Sequence, residues 1–156
     1  MPLITPGGKY IYGWLKVKED RTLYLPDEPL EEYGIQKCSK LFIMSGSGTS
    51  GGFSVMSRGM LEAHKSYLLD VLKKDPVLFN QTEEGYIYRT KQRIFSWVYL
   101  DERHYISFPE NVLEAMGVCI QDELLSIRSS NVAFVNILQG PIVDRARKST
   151  ELKHYS

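Results

Sequence analysis

The chain has 156 residues, room for one compact domain or two small, mutually dependent ones. It is 43% hydrophobic and 24% charged, as soluble globular proteins are, and its nineteen basic residues balance nineteen acidic ones. That neutrality excludes a chain basic throughout, and two cysteines outside any CxxC pair, Cys38 and Cys119, exclude a disulfide framework and a thiol-rich zinc site.

The opening Met1-Pro-Leu-Ile-Thr-Pro-Gly-Gly has no basic leader and no long apolar stretch, and no later run approaches the roughly 20 apolar residues that span a bilayer. The expectation is a cytoplasmic, reduced protein with no membrane partner. Residues 14–18 alternate apolar and polar, with Leu15 and Val17 on one face, as a half-buried strand does. A polar turn, Glu19-Asp20-Arg21, leads to a short β-rich run ending at Pro26, and a short helix through Leu30 and Tyr33 closes at Gly34, where a left-handed cap favours glycine. Dense apolar strands at 41–44 and 53–56 flank a Gly/Ser tract over 46–52, which predicts a mobile hairpin tip. Residues 60–74 place Leu61, Leu68 and Leu72 on one face, with Tyr67 and Val71 adjoining. This predicts one amphipathic helix, ended by Asp75-Pro76, that packs on its own domain or pairs with a second copy in a homo-oligomer. The strand, turn, proline, helix, glycine and hairpin pattern then recurs from Trp97 onward. The charged tail, 142–156, is expected to carry a more exposed helix.

The recurrence is an internal repeat. Segment 13–45 matches 96–128 at an offset of 83 without a gap, with seven identities: Trp14/Trp97, Glu19/Glu102, Pro26/Pro109, Leu30/Leu113, Glu31/Glu114, Gly34/Gly117 and Leu41/Leu124. Beyond them the offset becomes 81, pairing Phe53 with Phe134 and Gly59 with Gly140, so the glycine tract holds two extra residues. The expected organisation is a first repeat at 8–59, a connecting helix and loop at 60–84, a second repeat at 85–141, and the tail. Units of this size bury too little surface alone, which predicts that the halves complete one pseudo-two-fold β-barrel.

The second copy, Tyr105-Ile-Ser-Phe-Pro-Glu-Asn-Val-Leu-Glu-Ala-Met-Gly-Val-Cys-Ile-Gln-Asp-Glu-Leu-Leu-Ser-Ile, resembles the AbrB/SpoVT domain, and the first copy resembles it more loosely. The resemblance implies a mainly β fold, a duplicated swapped-hairpin barrel with short helices, and a non-enzymatic, DNA-binding transcriptional regulator. Its alternative is a protein- or ligand-binding module that keeps the barrel without DNA binding. Family regulators often carry Gly-Arg five and four residues before the proline, where this chain has Arg21-Thr22 and His104-Tyr105.

Charge placement is uneven despite the neutral total. Residues 1–18 and 85–100 hold Lys9, Lys16, Lys18, Arg89, Lys91 and Arg93 and no acid, while the segments after the prolines are acidic. With aromatics interleaved, these six cations plus Arg21 and Arg103 are the candidate contacts to double-stranded DNA. The competing reading is a solvated strand face.

Other motifs lack their context. Residues 46–51 match GxGxxG and 48–52 match GxSxG, but a strand-like run follows where both chemistries need a helix. His64, His104 and His154 have no metal-ligand spacing. Glu19 and Glu102 are repeat-equivalent but lie in turns, and Cys38 and Cys119 read as half-buried small hydrophobes. No catalytic residue, metal or cofactor is assigned.

Overall fold

A computed structural model describes residues 9–80 and 83–156; Gly8 of the first repeat and residues 81 and 82 of the connecting segment lie outside the described residues. Among these, ten strands form one sheet, curled into a nearly closed barrel. The strands are β1 (Ile11–Lys16), β2 (Thr22–Tyr24), β3 (Ser39–Ser45), β4 (Phe53–Met56), β5 (Tyr88–Arg89), β6 (Ile94–Leu100), β7 (Tyr105–Ser107), β8 (Glu123–Arg128), β9 (Ala133–Ile137) and β10 (His154–Tyr155). Their order is β10-β1-β8-β9-β4-β3-β6-β7-β2, with β5 on β6 and with β1 touching β2 across the seam.

The pairings run between the halves. β1 lies antiparallel on β8, with Trp14 opposite Leu125 and Leu15 opposite Leu124, and β6 lies on β3 with Trp97 opposite Phe42 and Val98 opposite Leu41. These registers interchange when each residue is replaced by its repeat partner. At the middle of the β2–β7 ladder Leu23 faces Ile106, and at the middle of β4–β9 Ser54 faces Val135. Backbone details recur too. The Leu25 N–H donates to the His104 carbonyl, and the Phe108 N–H donates to the Arg21 carbonyl. Left-handed φ values occur at Arg21 and His104, at Gly34 and Gly117, and at Cys38 and Gln121.

Helix α1 (Asp27–Glu32) follows Pro26 and α5 (Glu110–Ala115) follows Pro109, since a residue without an N–H loses nothing where a helix begins. Both close in the same way: Gly34 donates to Glu31 and Ile35 to Leu30, and Gly117 donates to Glu114 and Val118 to Leu113. That double bond pattern ends a helix on a left-handed glycine.

Strand alternation sorts the apolar residues into layers. Leu15, Val17, Leu41, Ile43, Val98, Leu124 and Phe134 fill the barrel with α1 and α5 residues. On the outer face, Phe42, Met56, Phe95 and Trp97 are covered by α2 (Arg58–Ala63), α3 (Tyr67–Lys73) and α4 (Pro76–Asn80). On the opposite outer face, Trp14, Leu125, Ile127 and Ile137 are covered by α6 (Pro141–Ala146) and Leu152.

Three expectations are corrected. The connecting segment is not one helix but three. Lys65 turns left-handed, and the Ser66 hydroxyl accepts the Leu68 N–H to start α3. Asp75 Oδ1 then accepts from Val77 and Leu78, so Asp75-Pro76 starts α4. Leu61, Leu68 and Leu72 are nevertheless buried, all against the chain's own sheet. The tail forms α6 and then β10, parallel to β1, with Trp14 opposite His154. Cys38 and Cys119 are exposed.

The glycine tract joins β3 to β4, as a hairpin tip should, but it is tied down. Gly46 donates to Gly52, Gly51 donates to Ser47, and the Ser50 carbonyl accepts from both Leu138 and Gln139. Gly52 has φ +72, and a Cβ there would lie 1.9 Å from the Asn136 carbonyl oxygen.

Gly52→Ala is therefore expected to cost about 2 kcal/mol or more in denaturant unfolding, from strain plus backbone collision. Gly48→Ala, with nothing within 4 Å of its Cβ, should stay within about 0.5 kcal/mol of the parent. Equal effects would show that the tract is not packed against β9. Inside the barrel, the fully buried Asn136 amide has no hydrogen-bond partner among the described residues for either polar atom. Asn136→Val, closer to the asparagine volume and suited to a strand, should stabilise the fold by about 1–2 kcal/mol, and a lowered unfolding midpoint would contradict this.

Candidate ligand-binding cleft

The eight candidate cations occupy different ends of the sheet. Lys16 closes β1 directly opposite Glu123 of β8. Lys18 follows, its ammonium 5.1 Å from the Tyr105 ring centre. Arg21 occupies the turn before β2, where its Nε donates to the Phe108 carbonyl at 3.0 Å, beside Asp20 and Glu84. Arg103 sits exposed in the repeat-equivalent turn, with its backbone N–H on Asp101 Oδ1. Around these four, the adjoining turns present Glu19, Asp20 and Glu102, and Asp27 pairs with His104 beside Arg103. Arg89, Lys91 and Arg93 lie at the opposite end of β6, past its seven residues, or roughly 20 Å at strand rise. Lys9 is exposed ahead of β1. The structure thus brings Arg89, Lys91 and Arg93 together and separates them from Lys16, Lys18, Arg21 and Arg103.

The β5–β6 hairpin holds its cations firmly. The Thr90 hydroxyl accepts the Gln92 and Arg93 N–H groups and donates to the Arg93 carbonyl, closing a four-residue turn. Arg93 Nη1 donates to the Gly46 carbonyl at 3.2 Å, and Ile94 N–H to Ser45 Oγ, so the hairpin is fixed to the base of the glycine tract. Upstream, Tyr86 donates to Asp75 Oδ2 at 2.6 Å, Ser96 to the Tyr86 carbonyl, and Trp97 Nε1 to the Glu83 carbonyl. The Asp75 carboxylate pushes the Tyr86 phenol above its ordinary range.

Helix α3 faces this hairpin. Its buried stripe, Leu68 and Leu72, packs on the sheet, which leaves Tyr67, Val71 and Lys74, one turn apart each, along its flank. Between that flank and the hairpin runs a cleft of about 470 Å³, floored by Met44, Leu68, Val71 and Phe95. Tyr67 on one wall is 73% exposed; Tyr88 on the other stacks on Phe95, ring centres 6.0 Å apart. Lys74, Lys91 and Arg93 line the cleft and no carboxylate does. A neighbouring cation, Lys40, is used structurally: it donates to the Leu78 carbonyl at the end of α4 and lies 5.0 Å from the Trp97 ring centre, and burial lowers its pKa.

Lys91 and Arg93 were legible in the sequence as an acid-free cationic stretch, and Tyr67 and Val71 as adjoining the apolar stripe. Lys74 was not, because only the break at Lys65 sets the rotation of α3. The histidines are engaged separately: His64 Nδ1 meets Asn131 at 3.1 Å, His104 meets Asp27 at 3.1 Å beside the Tyr24 ring, and His154 meets Glu123 at 3.5 Å and stacks on Trp14. Among the described residues no group of three or more His, Cys, Asp or Glu is placed to hold a metal ion. No helix of the described residues is long and apolar enough to cross a membrane. The chain matches no family model, no curated protein and no solved structure.

A second groove, about 210 Å³, holds Tyr10 and Glu28 near the start of β1. The Glu28 carboxylate, hydrogen-bonded to the Tyr10 hydroxyl, raises that phenol to about 12. Its folded pKa exceeds its unfolded one, so the stabilisation is full below pH ~10 and is lost as pH rises toward ~12. In an absorbance titration at 295 nm, Glu28→Gln should move one tyrosine's share of the late ionisation back toward the ordinary range. An unchanged titration in that variant would remove the assigned cause.

Proposed function

We propose that this chain is a non-catalytic binding module on a duplicated swapped-hairpin barrel of AbrB/SpoVT type, and that it takes an anionic partner in the cleft between α3 and the β5–β6 hairpin. The observation that carries the functional part is the gathering of Lys74, Lys91 and Arg93 around exposed aromatic surface without a carboxylate. Cavities of a few hundred Å³ with apolar walls and a few fixed polar groups are the usual form of a ligand site.

The barrel reading is supported by the interchanging registers of β1–β8 and β3–β6, each first strand lying on the third strand of the other half. It is supported further by the positive φ at Arg21 and His104, the two positions at which family regulators often carry glycine. The same resemblance implies DNA binding, the rival reading. A DNA face built from Lys16, Lys18, Lys91 and Arg93 requires one duplex to contact both ends of β6, and at one end the cations alternate with Glu19, Asp20 and Glu102. Mixed charge of that kind weakens a phosphate-tracking surface. A homodimer through the connecting segment is likewise disfavoured, since Leu61, Leu68 and Leu72 are spent on the chain's own sheet.

Titration of the full chain against duplex DNA over a salt series separates the readings. The module reading expects weak binding with little dependence on salt. A steep slope of log K against log salt, about 0.9 per phosphate contact, that flattens in the Lys16/Lys18/Lys91/Arg93→Ala variant would overturn it in favour of DNA binding.

A further inference from the structure

Resting on that reading, we infer that the cleft accepts a small phosphate monoester carrying an aromatic ring, of the nucleoside monophosphate class. Three features of the cleft select this chemistry.

The first is charge. Lys74 comes from the helix wall and Lys91 and Arg93 from the hairpin wall, so an anion between the walls meets cations from two sides. A phosphate monoester carries about −1.5 to −2 charge at neutral pH and three acceptor oxygens, and so uses several cations where a single carboxylate would leave some unmatched. Arg93 is the fixed element. One of its guanidinium nitrogens is held by the Gly46 carbonyl, and its backbone is locked in the Thr90 turn, so its remaining N–H donors are oriented in advance. A planar guanidinium with free N–H pairs favours phosphate through paired, parallel hydrogen bonds.

The second is the aromatic surface. A tyrosine 73% exposed on a short helix contributes little to folding, and Tyr67 stands on the rim of the one wall while Tyr88, braced by Phe95, stands on the other. A flat ring entering between them gains stacking on either side, worth about 1–3 kcal/mol per base where nucleobases meet aromatic side chains. The third is size. About 470 Å³ admits a mononucleotide, whereas a duplex is far too wide for it. Thr90 is not a ligand contact, because its hydroxyl is consumed inside the hairpin turn.

The experiment is chemical-shift titration of the full chain at fixed ionic strength with adenosine monophosphate, uridine monophosphate, inorganic phosphate and adenosine. The mononucleotides are expected to bind at least about tenfold more tightly than inorganic phosphate or adenosine, the ratio that one added charge-assisted or stacking contact provides. Lys91→Ala, exposed and outside the hairpin's bonding, should weaken mononucleotide binding by about tenfold while the unfolding midpoint stays put. Tyr67→Ala, which leaves Tyr88 as the remaining stacking surface, should cut the preference for nucleotide over inorganic phosphate several-fold and leave phosphate binding unchanged. Equal binding of nucleotide and phosphate by the parent chain, or nucleotide affinity unchanged in both variants, overturns the inference. If nucleotides fail while a phosphotyrosine peptide binds and is lost in Lys91→Ala, the small-ligand inference falls and the anion-binding module stands. If neither class shifts the cleft resonances, both fall.

Discussion

Two ladders carry the molecule: β1 on β8 and β6 on β3. Without β8, β1 would keep only the two-residue β10, and without β6, β3 would keep only its own hairpin partner. Where the ladders run, Leu15 faces Leu124 and Leu41 faces Val98, four side chains at most 2% exposed. Each such buried side chain stabilises the fold by about 1.5–3 kcal/mol relative to exposure, and each needs both halves to be covered. A half of some fifty residues is near the size at which an isolated core fails, so the shared ladders supply burial that neither half has alone.

Function, on the reading proposed here, lies where the two halves stop being alike. Repeat-equivalent outer patches, Phe42 with Trp97 and Leu125 with Trp14, need covers of their own, and the covers differ. The second half uses α6, Leu152 and the Arg147 guanidinium, 5.0 Å from the Trp14 ring centre. The first half uses three short helices, after which the chain forms the β5 hairpin in front of its next strand. The cleft is the space left between those two additions. Its walls lie outside the ladders that join the two halves.

Much of the barrel was readable because its signals are local. Alternation fixed the inner and outer faces of β1 and β6, the prolines marked the helix starts, and Gly34 and Gly117 marked the ends. The register of the repeat put equal residues at equal places. What escaped was set by contacts distant in sequence. Two residues, His154 and Tyr155, carry no strand pattern, and they become a strand only because β1 presents a free edge beside them. The break at Lys65 interrupts an apolar spacing that continues across it, so periodicity alone ran the helix on. Cys38 and Cys119 read as half-buried by residue type, yet both are exposed in loops ahead of strands. The cleft needed Lys74 and Arg93 to be neighbours, and nothing in their local sequence says that they are.

The long reach of the ladders also shapes how the chain must be made. Lys16 finds its strand partner at Glu123, more than a hundred residues later. At translation rates of about 5–20 residues per second, β1 emerges and waits on the order of 5–20 s before β8 exists. Through that interval a strand built of Ile11, Tyr12, Trp14 and Leu15 has no native neighbour, which invites chaperone engagement on the nascent chain. A ladder of that reach can equally be closed by the same strand of a second copy, so exchange between chains is the misassembly to which long-range pairing exposes this topology.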